Sequence, residues 1–508
     1  MTQILFLVFF LFPSLLPAAE CPLADASTAH EIPIVSQPSY LKSIPLPVLG
    51  CEIQRIAGDP AAKLPDGQDW GAYARHQYSK NQPWNADGSL LILRAGSPNR
   101  SFYLLDGNDY MVKAKACGHA QQSVWHPILP SVRVSANGKL LKWVDIIKCK
   151  TIKQWALPFE VDAIGSYEGN PSADGKLVAL GDTIGKDSAG RTFSRNIVIV
   201  DMETGKIGPI ADIHQQCLDS GATACYVGWA SVSPSGRYLA AHLYHRDADG
   251  KLNSMRGKRV YDIDSKTLAF TPRKLGRPLP EACNPGAKPE AGYILPASHS
   301  DMGFDALGRE VVVGVTSCGL AGKSFDGKLL GGVTSARLSD GEVLALTDPA
   351  NEAPASHVSL RNTRRPGWAY VTYHPASSAR RFSGEIVAVA LDGSKRVERI
   401  AHHHSVREDV YYAEPHAVPS QDGSRVLFAS DWADRCSPPC GQVKVNFQSY
   451  VVRSFVIPDP ADEIKQLREQ IAQLEASLRD LESLLAEREE RLKAVEGKLD
   501  AIRSIVFP

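Results

Sequence analysis

The sequence has no excess of charge of either sign. Lys and Arg together number 56, and Asp and Glu also number 56, so the formal net charge is zero. Nucleic-acid-binding domains carry a basic surface, and this balance gives no electrostatic reason to expect one. The sequence also lacks a G-x-S-x-G elbow, a phosphate-binding loop and a Rossmann fingerprint. Nucleic-acid binding and the chemistries of those three motifs are therefore not indicated.

We expect no transmembrane segment, because the one long apolar run lies between Met1 and Glu20 and is too short to span a bilayer well. This run, ILFLVFFLFPSLL, is followed by the small-residue segment PAAE, which is typical of a signal-peptide cleavage region. We therefore expect residues 1–19 to be a signal peptide and the mature protein to be periplasmic or secreted. Lipidation of Cys21 is the less favoured alternative, because Glu20 is a poor residue before a lipidated cysteine.

Ten cysteines remain after the expected cleavage, and an even number in an oxidising compartment indicates disulfides. Sequential pairing is the simplest expectation, with Cys217–Cys225 and Cys436–Cys440 closing short loops. We discount half of a metal site at Cys436 and Cys440, because no second cysteine pair has zinc-like spacing. The cysteines lie at positions 21, 51, 117, 149, 217, 225, 283, 318, 436 and 440.

A short turn followed by an apolar run recurs along the chain. Asp and Gly suit a tight reversal, and the β-branched and aromatic runs that follow suit buried strands. Seven such units, one of them degenerate, are spaced about 37 to 72 residues apart, which is the blade period of a β-propeller with variable loops. The turns are Asn85–Gly88, Ser135–Gly138, Ser172–Gly175, Ser233–Gly236, Phe304–Gly308, Arg364–Gly367 and Ser420–Gly423.

The predicted fold class is all-β, a seven-bladed β-propeller with a C-terminal α-helical coiled coil. The propeller covers residues 80–457, after an extension over residues 20–79 whose segment Glu52–Ile56 is a candidate to pair with the final strand. The turn-and-strand repeat resembles that of TolB-type propellers. Apolar residues three and four apart over residues 461–505 predict the coiled coil and hence self-association, dimeric or trimeric. A lone helix lying on the propeller is the alternative.

Three histidines occupy the same place in three successive units. His299, His357 and His416 each precede the first strand of a unit, 58 and 59 residues apart. The innermost strands of a propeller surround its channel, so these imidazoles are predicted to share one opening. With Glu414 they suit a divalent transition metal, manganese-like or zinc, whereas Arg361 and Arg365 suit a carboxylate-bearing substrate. For each residue alone, a structural role at the channel rim is an equally weighted alternative.

The segment Glu414-Pro-His416, followed by Asp422 and RVLFASDW, is similar to the metal-site segment of the oligogalacturonate lyases, which are propeller enzymes. This resemblance implies metal ligands at His357, Glu414 and His416, and a base at His299. Glu414 stands where that family has histidine, and Tyr411 stands where it has an amide side chain. The implied chemistry is β-elimination on an acidic oligosaccharide, with Arg361 or Arg365 neutralising the uronate and His299 or Tyr412 removing the proton.

Two functions therefore remain open at this point. The histidines favour a metal-dependent lyase, whereas the coiled coil favours a non-catalytic propeller, like the TolB group, that binds a protein or cell-envelope ligand. His242 and His245 are interpreted as facing a loop. Trp229 is interpreted as blade core, together with Trp84, Trp125, Trp143 and Trp155.

Overall fold

A computed structural model gives the fold as two compact units, Met1–Phe455 and Val456–Pro508. The structure describes residues 21–71, 73–95, 101–116, 123–166, 168–186, 192–218, 224–246, 252–275, 293–294, 298–316, 319–325, 328–376, 380–406, 413–432, 447–453, 478–479, 482–500 and 502–503.

The first unit is an all-β propeller with seven blades, each an antiparallel sheet, which confirms the predicted architecture. Strands β1 (Ser43–Pro45) and β2 (Glu52–Arg55) belong to blade 7. Blade 1 contains β3 (Ala74–Arg75), β4 (Leu90–Ala95), β5 (Ser101–Asp106) and β6 (Val112–Lys115). Blade 2 contains β7 (Val124–Trp125), β8 (Val132–Asp145) and β9 (Lys150–Val161). Blade 3 contains β10 (Leu177–Gly181), β13 (Asn196–Asp201) and β14 (Ala211–Asp212), and β11 (Gly185–Lys186) pairs with β12 (Thr192–Phe193) as a separate ribbon.

Helix α1 (Ile213–Leu218) leads into the second half of the ring. Blade 4 contains β15 (Ala224–Val232), β16 (Tyr238–Arg246), β17 (Leu252–Ile263), β18 (Phe270–Pro272) and β19 (Tyr293–Ile294). Blade 5 contains β20 (Ser298–Phe304), β21 (Glu310–Val315), β24 (Val333–Arg337) and β25 (Val343–Ala345), with the ribbon β22 (Ser324–Phe325) and β23 (Lys328–Leu329). Blade 6 contains β26 (Ala355–Ser359), β27 (Trp368–Tyr373), β28 (Glu385–Ala390) and β29 (Val397–His402). Blade 7 adds β30 (Val418–Pro419), β31 (Arg425–Ser430) and β32 (Gln448–Arg453).

Blade 7 joins the two ends of the ring. Strand β2 pairs antiparallel with β32, with Ile53 opposite Val452, so the N-terminal segment supplies the outer strands of the last blade. This pairing joins the two segments that the sequence suggested. Blade 1 is thereby the neighbour of blade 7, and a bridge between Tyr73 and Phe447 connects them directly.

Six of the seven predicted turns are turns in the structure. The prediction was wrong for Ser135–Gly138, which lies within strand β8, where Gly138 pairs with Val161. In the last turn, Ser420 Oγ accepts from Arg425 N at 3.0 Å and Asp422 Oδ1 accepts from Ser424 N at 3.0 Å. The turn glycine must adopt a left-handed conformation, which a side chain would disfavour. The glycines of all seven predicted turns do so, with φ between 58° and 86°, at positions 88, 138, 175, 236, 308, 367 and 423.

Apolar side chains on neighbouring blades form the core. One cluster joins Val311 and Val313 of blade 5 to Val358 and Val371 of blade 6, all of them buried. Packing between blades therefore continues around the ring and fixes the positions of the innermost strands, which carry the candidate site.

Three of the described cysteines are disulfide-bonded. Cys21 and Cys51 form a disulfide, as sequential pairing predicts, and Cys149 is also disulfide-bonded. The bond to Cys51 occupies the thiol that lipidation of Cys21 would need. The other predicted pairs include positions whose side chains lie outside the described residues.

The second unit contains a helix over residues 482–500. Its side chains are exposed, including Leu485, Leu492, Val495 and Leu499 at predicted core positions of the coiled coil. Residues 461–477 of the predicted coiled coil lie outside the described part. No helix among the described residues has the length and apolar character to cross a membrane.

Candidate metal centre

The first strands of blades 5 and 6 contain His299 and His357, which were predicted to precede them, whereas His416 does precede β30 of blade 7. These positions bring the three histidines together. The His299 and His357 rings stack with centroids 4.3 Å apart, and the His357 and His416 rings meet edge to face at 4.2 Å. The histidines that recur one blade apart therefore share a single opening, as their spacing predicted.

Local backbone irregularities direct these side chains. The register of blade 5 shifts between Ser298 and Asp301, and that of blade 6 shifts between Ala355 and His357. Such β-bulges re-aim side chains. His299 and His416 also adopt positive φ values of 43° and 46°, an uncommon conformation that histidine tolerates better than most residues.

Glu414 completes a group of three ligand atoms. Its Oε2 lies 3.0 Å from His416 Nε2 and 3.4 Å from His357 Nε2. One ligand atom from each of His357, Glu414 and His416 lies within 4.8 Å of the other two. Two imidazoles and a carboxylate are a donor set suited to a divalent transition metal, so these residues fit such an ion.

Burial keeps the two candidate imidazole ligands neutral. His357 and His416 are at most 2% exposed, whereas the Glu414 side chain is 23% exposed. Desolvation is the main reason that the pKa of each imidazole lies well below its ordinary value, and the neighbouring imidazoles lower both further. A metal ion binds the neutral imidazole, so burial favours the protonation state that ligation needs.

The hydrogen bonds of the other ring nitrogens distinguish the two ligands. Ser356 Oγ lies 2.6 Å from His357 Nδ1 and can accept a hydrogen bond from it, which leaves the Nε2 lone pair of His357 for an ion. Arg75 Nη2 donates to His416 Nδ1, because a guanidinium has no acceptor. In this arrangement His416 Nε2 carries the proton and donates a hydrogen bond to Glu414. Ligation through that nitrogen therefore requires Arg75 to change partner.

His299 is held in the same tautomer as His357, with the proton on Nδ1. Its Nδ1 donates to the carbonyl oxygen of Ser356, so its Nε2 retains a lone pair. The pKa of His299 is lowered to about 4, chiefly by desolvation of the stacked ring, although part of the residue is exposed. Its geometry suits a proton acceptor beside the candidate metal ligands.

The two predicted arginines pair with other carboxylates. Arg361 forms a bidentate ion pair with Asp301, with bonds of 2.8 and 2.9 Å. It lines a cavity with residues of other blades, including Asn170, Ser231 and Gln421. Arg365 bonds to Glu398 at 2.5 Å and stacks on Trp368. The structure therefore does not bring either arginine to the histidines, and Tyr412 lies outside the described residues.

Sequence reasoning missed the groups that blades 1 and 4 contribute. The Tyr78 ring contacts the His357 and His416 rings, with centroids 5.2 and 4.6 Å apart. His76 Nε2 donates to the carbonyl oxygen of His416 at 2.6 Å. His242, interpreted from the sequence as facing a loop, lies on β16 with Nδ1 3.0 Å from Lys258 Nζ. The expected closure of the ring could have indicated the residues of blade 1, because it makes the segment after Tyr73 a neighbour of His416.

Comparisons with known proteins show similar folds at low identity. A structure described as oligogalacturonate lyase in complex with manganese is 14% identical, with a TM-score of 0.46, covering 82% of this chain and 99% of that one. A second oligogalacturonate lyase, from Vibrio parahaemolyticus, is 12% identical with a TM-score of 0.47, covering 81% and 96%. Hydrazine synthase from Kuenenia stuttgartiensis is 15% identical with a TM-score of 0.42, covering 75% and 98%. No family model and no curated protein sequence matches the chain.

Proposed function

We propose that this chain is an exported, metal-dependent lyase that cleaves uronic-acid-containing oligosaccharides by β-elimination. The observation that carries the proposal is the convergence of His357, Glu414 and His416, with the His299 ring stacked on His357. β-Elimination from a uronate is promoted by an electrophile at the carboxylate and an acceptor for the C5 proton, and this opening offers candidates for each.

The proposed ion is divalent, manganese or zinc, held by His357, Glu414 and His416. When bound, such an ion would act as a Lewis acid on the uronate carboxylate and make the proton at C5 more acidic. His299 would accept this proton at Nε2, since its Nδ1 is already committed to the carbonyl of Ser356. The C5–H electron pair then forms the C4=C5 double bond, the C4–O4 bond breaks, and O4 takes up a proton. Arg361 and Arg365 receive no part in this proposal while they keep their present ion pairs.

The test is the ultraviolet absorbance of the unsaturated uronate that the reaction creates. Metal-loaded protein is incubated with a panel of uronic-acid oligosaccharides that includes oligogalacturonate. We expect at least one to develop the absorbance, and the His299→Ala variant to lose turnover while retaining its metal. His214→Ala, on helix α1, serves as a control that should keep activity. A metal-loaded wild-type protein that produces no absorbance change with any oligosaccharide refutes the proposal.

A second candidate function rests on the exposed apolar positions of the C-terminal helix. Leu485 and Leu492 are each 61% exposed and lie seven residues apart. Such a seam is expected to be covered by the same helix of another copy, so that the chain is a self-associated, TolB-like binding propeller. Light scattering of the full chain should give an oligomer that Leu485→Asp with Leu492→Asp converts to a monomer. A monomeric wild-type chain contradicts self-association.

A further inference from the structure

Two arginines line a cavity between blades 1 and 2. Arg94 belongs to β4 of blade 1, and Arg133 belongs to β8 of blade 2. The space between the atoms of this cavity is about 280 Å³, part of which is open to solvent. Its enclosed part has room for about one group the size of a water molecule. The cavity therefore suits a single small ligand and is too small for a sugar.

Arg133 places a buried positive charge at this cavity. The residue is 2% exposed, and its Nε and Nη2 atoms donate to Ser123 Oγ at 3.1 and 2.8 Å. Its Nη1 atom is buried and has no hydrogen-bond partner. The guanidinium lies 5.2 Å from the centroid of the Trp125 ring, which attracts a cation but is not an ion-pair partner. Burial lowers the pKa of Arg133 to about 9, so the side chain is still protonated at neutral pH.

Arg94 adds a second positive charge. Its Nε and Nη2 atoms are buried without a hydrogen-bond partner, and its guanidinium lies 5.5 Å from the centroid of the Tyr73 ring. Among the described residues, no carboxylate forms an ion pair with Arg94 or Arg133. Buried donors and charges without partners destabilise a fold, and two charges of one sign at one cavity also repel each other. A bound anion would offset all three effects.

The remaining walls of the cavity favour a monatomic anion. Ile92 and Phe102 are buried and apolar, so they offer no donors to the several oxygens of a polyatomic anion. Asn81 Oδ1 and His76 Nδ1 are buried acceptors without partners, which leaves the two arginines as the charged donors. A water molecule that donates to these acceptors is the alternative occupant, but it would leave both charges uncompensated.

We propose that this cavity binds one halide ion, physiologically chloride, held between Arg94 and Arg133. The charge-assisted hydrogen bonds to the ion would come from donors on different blades, so the ion would join blade 1 to blade 2. A ligand that binds the folded chain and not the unfolded chain stabilises the folded state as its concentration rises. This proposal does not depend on the proposed lyase activity.

The test is the thermal unfolding of the full-length protein in sodium chloride and in sodium methanesulfonate. The two salts are compared at matched concentrations, from low millimolar to physiological, so that both screen surface charges equally. Methanesulfonate carries the same charge as chloride but is too large for the enclosed part of the cavity. We expect the Tm of the wild-type protein to rise with the logarithm of the chloride concentration and to change little with methanesulfonate.

The variant Arg94→Met separates ion binding from structural damage. It removes one charge and no hydrogen bond of that side chain among the described residues, so its Tm in methanesulfonate should at least equal that of the wild-type protein. Its Tm should not rise with chloride. Arg237→Met is the matched control, because the Arg237 side chain is 67% exposed, and it should keep the chloride response. A wild-type protein that responds equally to the two salts overturns the proposal, as does Arg94→Met with the full chloride response.

Bromide gives the position of the ion without the need for a variant that folds. Crystals of the wild-type protein grown with bromide should show a peak of anomalous scattering beside Arg94 and Arg133. A cavity that holds only water in these crystals overturns the proposal.

Discussion

Replacing Ser356 with Ala should weaken metal binding without removing a candidate ligand. Ser356 Oγ lies 2.6 Å from His357 Nδ1, and both residues are buried. A hydrogen bond at the second ring nitrogen fixes the tautomer and orientation of a metal-ligating histidine, and its loss typically costs about 10- to 100-fold in affinity. At about 1.4 kcal/mol per factor of ten, this corresponds to about 1.4 to 2.7 kcal/mol. The carbonyl of Ser356 that accepts from His299 is retained in the variant.

Ser359→Ala is the matched control for this experiment. Ser359 lies on the same strand and is equally buried, but its Oγ has no hydrogen-bond partner. Titration of metal-free protein with Mn²⁺ and with Zn²⁺ measures the affinities. We expect Ser356→Ala to bind the preferred ion at least tenfold more weakly than the wild-type protein and Ser359→Ala to match the wild-type protein. Equal affinities for the two variants would refute the assignment of His357 as an oriented ligand.

Two further predictions concern Arg75, which contacts His416, and the buried imidazole of His126. Arg75→Gln should raise metal affinity by about tenfold or more in the same titration, because it removes a nearby positive charge and supplies an acceptor for His416 Nδ1; weaker binding contradicts this reasoning. His126 Nδ1 accepts from the backbone amides of Ile128 and Leu129, and burial lowers its pKa from 6.5 to about 4. As the pH falls, the imidazole of His126 is protonated in the unfolded chain before it is protonated in the folded chain. The neutral imidazole therefore contributes up to about 3 kcal/mol of stability, which is fully present above pH 6.5 and is lost between pH 6.5 and about 4. The wild-type free energy of unfolding should therefore fall more steeply over this range than that of His126→Gln, by up to about 1.4 kcal/mol per pH unit; equal slopes contradict the assignment.

The repeat made the blades and the shared opening predictable from the sequence. Each turn needs a residue with positive φ and a side chain that bonds to its own backbone, so Gly, Ser and Asp recur at fixed offsets. Histidines that precede equivalent strands then fall at one opening because the innermost strands surround one channel. This reasoning brought His299, His357 and His416 together.

Arg361 and Arg365 were predicted to lie near the histidines, but closeness in sequence is a poor guide to position in a propeller. Arg361 is four residues after His357, and an extended strand covers roughly 13 Å over that distance. Strand β26 runs along the channel, so Arg361 lies beyond the end of the strand that is farther from the histidines. The sequence alone could not choose between Asp301 and a substrate carboxylate as the partner of Arg361.

The groups of blades 1 and 4 were missed for the opposite reason. Tyr78 precedes His299 by more than two hundred residues, and only the pairing of β2 with β32 makes blade 1 the neighbour of blade 7. Lys258 lies on the third strand of its blade, a position that the repeat does not mark as facing the opening. Such groups depend on ring closure and side-chain direction, which a sequence pattern does not fix.

The most direct test of the metal centre is the metal content of purified wild-type protein and of its His357→Ala and His416→Ala variants, after equilibration with Mn²⁺ or Zn²⁺ and removal of excess ion. The proposed site predicts close to one tightly held ion per wild-type chain and little in either variant, with the fold of each variant verified by its unfolding transition. A wild-type chain that holds no ion, or folded variants that hold as much as the wild-type chain, would contradict it.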